Sequence, residues 1–384
     1  MKAVILAAGE GRRLRPLTRT RPKPMLPIAN RPLLEHVLEA CCEAGVEEFV
    51  FVVGYNRERI QNHFGDGDEW DVDIEYATQH KQLGTGHAIL QAEPYVNGEF
   101  VALNGDRIVE PSAISAVVDG QRERGGPVMA ITRVERPEDY GVVETDGQEV
   151  VSITEKPPAW TVTTEFINAG VYGFDQSVFD LLRSVESDGE LAITAAIQQA
   201  GTLRAATFDG LWLDVSNLWD LLSVNARSLD GFAGTTTESA DVHEEATIVD
   251  PVALGSDVRV RPGARVLPGT SLGDNVEIGS NAVVSNAVVL ADATIGDGAV
   301  VRDCIVGENT VIGANTTVAG GDAEMVVDGT FHEGVRLGGV VGDNASVGGG
   351  ATIAPGTVLG NDTIVESGTA VDGRIDDGTE VRRG

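Results

Sequence analysis

Lys2-Ala3-Val4-Ile5-Leu6-Ala7-Ala8-Gly9-Glu10-Gly11-Arg12-Arg13-Leu14 is the stretch on which the fold turns. Lys2 to Leu6 is a short apolar run followed by glycines, which suits a fully buried parallel strand better than so brief a helix. At Gly9 and Gly11 the chain turns. Glycine is needed where backbone N–H groups must approach phosphate oxygens closely, because a Cβ would clash or block a positive φ. From residue 2 to residue 23 stand Lys2, Arg12, Arg13, Arg15, Arg19, Arg21 and Lys23 against one acid, Glu10. Strand, turn and cationic arm together read as a triphosphate cradle. Two other phosphate-binding patterns fail on spelling: the dinucleotide fingerprint needs a glycine where Leu14 stands, and a Walker loop needs a Gly-Lys-Ser/Thr ending.

The local charge matters because the 384-residue chain carries 59 acidic against 28 basic residues, a formal charge of −31. Such a field repels nucleotides and sugar phosphates, so only a local inversion admits them. Lysine occurs at four positions, 2, 23, 81 and 156, and arginine supplies the other basic residues. One of the four, Lys23, is held between Pro22 and Pro24; a compact ammonium suits a phosphate oxygen, and the prolines restrict its backbone. The acidity argues for a solvated surface adapted to high salt and against nucleic acid or anionic membrane as partner. Hydrophobic residues make up 42%, as in a globular chain of two or three domains. With no apolar run near 18 residues and no leader of signal-peptide form, a cytoplasmic location is expected. Cys41, Cys42 and Cys304 match neither a disulfide framework nor a zinc knuckle and are expected to be reduced.

From residue 1 to about 230 short β-type runs alternate with helical stretches, the pattern of an α/β, mostly parallel sheet covered by helices. Expected strands are 49–53, 74–77, 100–103, 128–133 and 169–174; expected helices are 32–44, 86–93 and 218–228. Ligands of such sheets bind beyond the carboxyl ends of the strands. Residues 231–246 are small and polar and read as a linker. Beyond them Ile248, Leu254, Val260, Val266, Leu272, Ile278, Val284 and Leu290 fall at every sixth position. A six-residue repeat places one flat side per hexapeptide, aliphatic inward, and three sides close one coil of a parallel β-helix. The register stutters after Leu290, breaks at 319–340 and restarts at Val341; the break is expected to be a protruding loop. Flat coil faces favour symmetric self-association.

Asn104-Gly105-Asp106 follows an apolar strand, and Asp214 closes another, Leu211-Trp212-Leu213; both carboxylates are candidates for Mg²⁺ bound with phosphates. Gln79 and Gln82 precede the glycine turn Leu83-Gly84-Thr85-Gly86-His87, where amides and bare backbone can read the edge of a pyrimidine ring. His87 reads as a packed histidine. Tyr140-Gly141, Glu155-Lys156 and Asn168-Ala169-Gly170 place a carboxylate, an ammonium and an amide at successive strand ends, which suits sugar hydroxyls and a sugar phosphate.

This set closely resembles the sugar-1-phosphate nucleotidyltransferases, in their archaeal two-domain form. It is similar to the bifunctional N-acetylglucosamine-1-phosphate uridylyltransferases and to the glucose-1-phosphate thymidylyltransferases. The resemblance implies a Rossmann-like nucleotidyltransferase domain followed by a left-handed parallel β-helix of hexapeptide repeats over 247–384, assembled as a trimer or dimer of trimers. It implies transfer of a nucleotidyl group from UTP or dTTP to a sugar 1-phosphate, with Mg²⁺ as cofactor. Positions matching Arg13 and Lys23 handle the triphosphate, and Lys23, Arg13 and Asp106 would be catalytic. Those matching Leu6, Ala8, Gly9, Gly11, Gln79, Gln82, Gly84 and Thr85 hold the nucleotide. Those matching Gly141, Glu155, Lys156 and Asn168 hold the sugar phosphate, and Asp106 and Asp214 match metal positions. Similar bifunctional enzymes also transfer an acetyl group from acetyl-CoA in the β-helix, using a histidine base. At the matching place this chain reads Ala319-Gly320-Gly321-Asp322, and His332 is the nearby candidate. A catalytically silent scaffold would be expected to lose the lysine or the carboxylates, which this chain keeps.

Overall fold

The computed structural model of the chain describes residues 1–185, 189–199, 203–231, 237 and 239–383. Two compact units result. The first comprises Met1–Glu10, Pro22–Met25 and Leu33–Asp214; the second comprises Gly11–Arg21, Leu26–Pro32 and Val215–Gly384. The expected linker at 231–246 lies partly outside the described residues; its end, Asp241–Val242, already pairs with Arg259–Val260 in the second unit.

In the first unit the strands are β1 (Lys2–Ala7), β2 (Glu48–Val53), β3 (Asp73–Thr78), β4 (Phe100–Asn104), β5 (Arg107–Val109), β6 (Val128–Arg133), β7 (Gly141–Asp146), β8 (Glu149–Glu155), β9 (Phe166–Phe174), β10 (Arg204–Thr207) and β11 (Trp212–Asp214). Nine of them form one sheet in the order β3-β2-β1-β4-β9-β6-β10-β8-β7, while β5 and β11 pair separately. The run β3-β2-β1-β4 is parallel throughout. β9 runs antiparallel to both β4 and β6. The helices are α1 (Leu33–Glu43), α2 (Arg57–Phe64), α3 (Thr85–Gln91), α4 (Pro111–Arg124), α5 (Ser177–Ser184) and α6 (Ile193–Gln199). Central β1 is apolar on both faces, with Ala3, Val4, Ile5 and Ala7 fully buried, as a strand covered by helices on both sides must be. Burying a Val or Ile side chain contributes about 1.5–3 kcal/mol, so this strand is a principal anchor of the unit.

The second unit contains α7 (Leu218–Gly231) and stacked parallel coils. Arg259 pairs with Glu277, eighteen positions on, but Glu277 pairs with Thr294 and Val283 with Val300, seventeen on. A coil one residue short explains the stutter after Leu290. The inward aliphatics stack in columns; Val266, Val284, Val301, Val318 and Ile353 are all fully buried. The break at 319–340 is an antiparallel hairpin, Asp322–Val327 with Thr330–Arg336, pairing only with itself. Corner residues Asn275, Asn281, Asn309 and Asn344 take a left-handed φ, which asparagine tolerates. Among the described residues no helix is long and apolar enough to cross a membrane.

Candidate active site

The site begins where β1 and β4 end side by side. Leu6 pairs with Asn104 in parallel register, and just beyond it Gly105 N donates to Leu6 O at 2.9 Å. A Cβ on Gly105 would stand 2.9 Å from that oxygen and 3.0 Å from Ile5 Cγ2, so only glycine permits the approach that turns Asp106 into place. Beyond these strand ends lies a cavity of about 370 Å³. Its lining includes Leu6, Ala8, Gly9, Lys23, Gln79, Gln82, Gly84, Thr85 and Asp106, which the sequence singled out, and Pro24, Ala88, Asn104, Arg107 and Glu190, which it did not. At Gly9 an added Cβ would meet nothing within 4 Å, so open space lies beside that backbone.

Lys23 stands between two carboxylates. Its Nζ is 2.6 Å from Asp106 Oδ2 and 3.8 Å from Asp214 Oδ1, and its side chain is only 11% exposed. Pairing of β5 with β11 puts Asp214 opposite Arg107, whose Nε lies 3.6 Å from Asp214 Oδ1. Burial pushes the Asp106 carboxyl up, but Lys23 and Arg107 outweigh it and the net shift is downward, so that carboxylate faces its cations in ionised form. Among the described residues no group of three or more His, Cys, Asp or Glu is placed to hold a metal ion. Two carboxylates converging on one point are nonetheless the protein share of a Mg²⁺ site completed by phosphates and water, so Asp106 and Asp214 fit that ion when substrate supplies the remaining oxygens.

The glycine turn before α3 is built by close packing. Gly84 has φ +94°, and a Cβ there would stand 2.5 Å from Leu191 O, whose neighbour Glu190 lines the cavity. Gln82 Nε2 donates to Ala8 O at 2.8 Å, and Gln79 Nε2 donates to Gly84 O at 3.2 Å. His87 Nδ1 lies 2.9 Å from Gln79 Nε2 and thereby orients that amide. Gly84→Ala is expected to lower stability by about 2 kcal/mol or more, since the strained turn must move. Thermal unfolding checks this.

The residues expected to hold the sugar phosphate lie outside that lining. Gly141 and Glu155 are cross-strand partners on β7 and β8, and a Cβ on Gly141 would come 3.0 Å from Glu155 Oε1. Lys156 N donates to Tyr140 O at 2.9 Å. Asn168 Nδ2 donates to the Tyr172 hydroxyl at 2.7 Å, and Asn168 Oδ1 accepts from Gly170 N at 3.0 Å. Burial pushes that Tyr172 hydroxyl up to about 12, so it stays protonated. Arg107 links the two groups: its Nη1 donates to Asn168 O at 3.5 Å. The one sequence signal for Arg107 was its place directly after Asp106.

Gly11 and Arg13 fall in the second unit. Gly11 takes φ +62°, as a glycine turn requires. Arg13 Nε donates to Asp328 Oδ2 at 2.8 Å, Arg19 Nε lies 2.6 Å from Asp377 Oδ2, and Arg21 Nη2 lies 2.8 Å from Asp343 Oδ2. Much of the cationic arm is therefore neutralised by carboxylates of its own unit, a consequence of placing arginines in so acidic a chain. His332 lies in the 322–336 hairpin with its ring centroid 5.0 Å from that of Trp219.

The nucleotidyl transferase family profile matches residues 2–231, and a GMPPB C-terminal domain profile matches 248–367. The chain is 40% identical over 236 residues to the bifunctional protein GlmU of Methanococcus maripaludis, covering 60% of this chain and 55% of that protein. It thus spans about half the length of that relative. It is 33% identical over 270 residues to the glucose-1-phosphate thymidylyltransferase of Streptomyces antibioticus, covering 68% of this chain and 74% of the relative. A crystal structure of a UDP-glucose pyrophosphorylase complexed with UDP-glucose superposes with TM-score 0.54 at 25% identity, covering 60% of this chain and 98% of that one. With the family profile covering more than half of its residues, the chain belongs to the nucleotidyl transferase family.

Proposed function

We propose that this chain joins a sugar 1-phosphate to UTP or dTTP, releasing pyrophosphate. The observation that carries the reading is Lys23, held within 4 Å of both Asp106 and Asp214 at the edge of the cavity that Gln79 and Gly84 line. The attacking group is a phosphate oxygen already ionised at pH 7, so no general base is required. That oxygen forms a bond to the α-phosphorus as the bond to the bridging oxygen breaks, and pyrophosphate leaves. What the protein must supply is in-line alignment and charge neutralisation. Lys23 would move from Asp106 to a phosphate oxygen of the bound triphosphate, while Gln79, Gln82 and the Gly84 backbone read the base. Arg13, the other cation the resemblance assigns to the triphosphate, is paired with Asp328. Glu155, Lys156 and Asn168 would hold the sugar phosphate on the far side of Arg107. Asp106 and Asp214 would hold Mg²⁺, which when bound neutralises charge on the triphosphate. The β-helix would assemble copies of the chain in the cytoplasm as a trimer or dimer of trimers.

Pyrophosphate release, measured with Mg²⁺, each triphosphate in turn and a panel of sugar 1-phosphates, tests this. At least one pairing is expected to turn over, with nucleotide sugar formed in equal amount. Asp106→Ala is expected to lower that rate by about 10²- to 10³-fold while leaving the melting curve in place.

A further inference from the structure

Arg107 opens β5 directly after Asp106 and lines the edge of the nucleotide cavity. From there its side chain runs toward β9. Nη1 donates to Asn168 O at 3.5 Å, and Gly170, at φ +79°, leaves the room: a Cβ there would stand 2.8 Å from Nη1. An aromatic wall fixes the guanidinium. It lies over the Trp212 ring, 5.4 Å from the centroid; the indole Nε1 donates to Ala169 O at 2.9 Å, and Tyr140 packs edge-on against that ring at 5.0 Å. The fork is nonetheless not filled. Nε is screened from solvent and has no hydrogen-bond partner among the described residues, and the Asp214 oxygen beside it is 3.6 Å away, past hydrogen-bond length. A buried donor without an acceptor is costly, so one retained at the rim of a binding cavity points to an acceptor that the ligand brings.

We propose that Arg107 seats the phosphate of the sugar 1-phosphate, the group whose oxygen attacks. The inference rests on the nucleotidyl transfer read above and names a residue that holds its second substrate. That phosphate must stand between the triphosphate in the cavity and the sugar beside Glu155 and Asn168, and Arg107 touches both places. Two phosphates brought together repel each other. A cation between them offsets the repulsion, and in a site shielded from water it does so far more strongly than in bulk. Lys23 stands on the triphosphate side, paired with Asp106. Lys156 is exposed, so water and salt screen its charge, whereas the Arg107 side chain is 21% exposed. Shape favours arginine as well: its planar fork meets two oxygens of one phosphate, which an ammonium cannot do. Asp214 has the Mg²⁺ assigned to it above as a second counter-charge, which leaves the guanidinium to an incoming anion.

Arg107→Lys in the full chain tests this, since it keeps a cation beside Asp214 and loses the fork. Pyrophosphate release is followed with each substrate varied in turn. KM for the sugar 1-phosphate is expected to rise about tenfold or more, with KM for the triphosphate within about twofold of wild type and the melting curve unchanged. An unchanged KM for the sugar 1-phosphate would overturn the inference. So would an equal rise in both values, which would mean that Arg107 acts only by holding Asp214. If no pairing of substrates turns over in wild type, the reading of function fails and the phosphate seat is tested alone. Equilibrium titration with inorganic phosphate is then expected to show binding about tenfold weaker in Arg107→Lys, and equal affinities would be fatal. Should Arg107→Lys fail to fold, wild-type crystals soaked in inorganic phosphate decide: an anion within about 3 Å of the guanidinium is expected, and an anion bound only elsewhere, or none, would refute the assignment.

Discussion

Lys23→Ala is expected to lower kcat for nucleotidyl transfer by about 10³-fold, at the upper end of what removal of one transition-state donor costs. The ammonium is largely screened from water and lies 2.6 Å from Asp106, so it is already desolvated and aimed where the triphosphate must arrive. Its removal leaves Asp106 and Asp214 facing the incoming phosphates with less positive charge beside them, Arg107 still close to both. Two effects therefore combine: loss of a positive charge on the transition state and new repulsion of the substrate, which raises KM as well. The fold should persist, because Asp214 keeps Arg107 and the side chain of Asp106 is one third exposed. Pyrophosphate release beside a thermal melt separates the two. A rate within tenfold of wild type would contradict the assignment.

Val284→Asp is expected to destroy the second unit. Val284 is fully buried between Val266 and Val301, its partners in the coils on either side. Each coil touches only its neighbours, and the column around Val284 is Val266, Val301, Val318 and Ile353, so a carboxylate there is set among aliphatic side chains. Burying an unpaired carboxylate costs far more than the roughly 5–15 kcal/mol that stabilises an ordinary domain, so the coil opens or the group is neutralised at high cost. Loss of the cooperative melt, or a fall of at least about 10 °C in midpoint, is the expected reading. A wild-type melting curve would mean that this side chain does not point inward.

Sequence was informative where one physical rule governs a segment alone. Strands β1, β2, β4 and β6 are continuous apolar runs, and the six-residue rhythm is set by the coil itself. For β7 and β8 the sequence offers strand ends at Gly141 and Glu155 but no ranges, because Gly141–Asp146 and Glu149–Glu155 mix buried and exposed positions without clean alternation, with a register shift between Val150 and Ser152. α4 was missed too, although Pro111 opens it, because Gly120 and scattered charges blur its period. Sheet order follows from long-range pairing that no local pattern encodes. The same holds for the arm: counting cations from residue 2 to 23 showed a positive segment but not its partners, and Arg19 and Arg21 find theirs at Asp377 and Asp343, more than 300 positions away. By contrast Gly9, Lys23, Gln79, Gly84 and Asp106 line one cavity, because each closes a strand or opens a helix at one edge of the sheet.

The most direct measurement is a crystal structure of the full chain with Mg²⁺ and UTP or dTTP. The pyrimidine should lie in the cavity beside Gln79 and Gly84, with Lys23 Nζ moved from Asp106 to a phosphate oxygen and the metal ion on Asp106 and Asp214. A triphosphate bound elsewhere, or Lys23 still paired with Asp106 beside a bound nucleotide, would contradict the account.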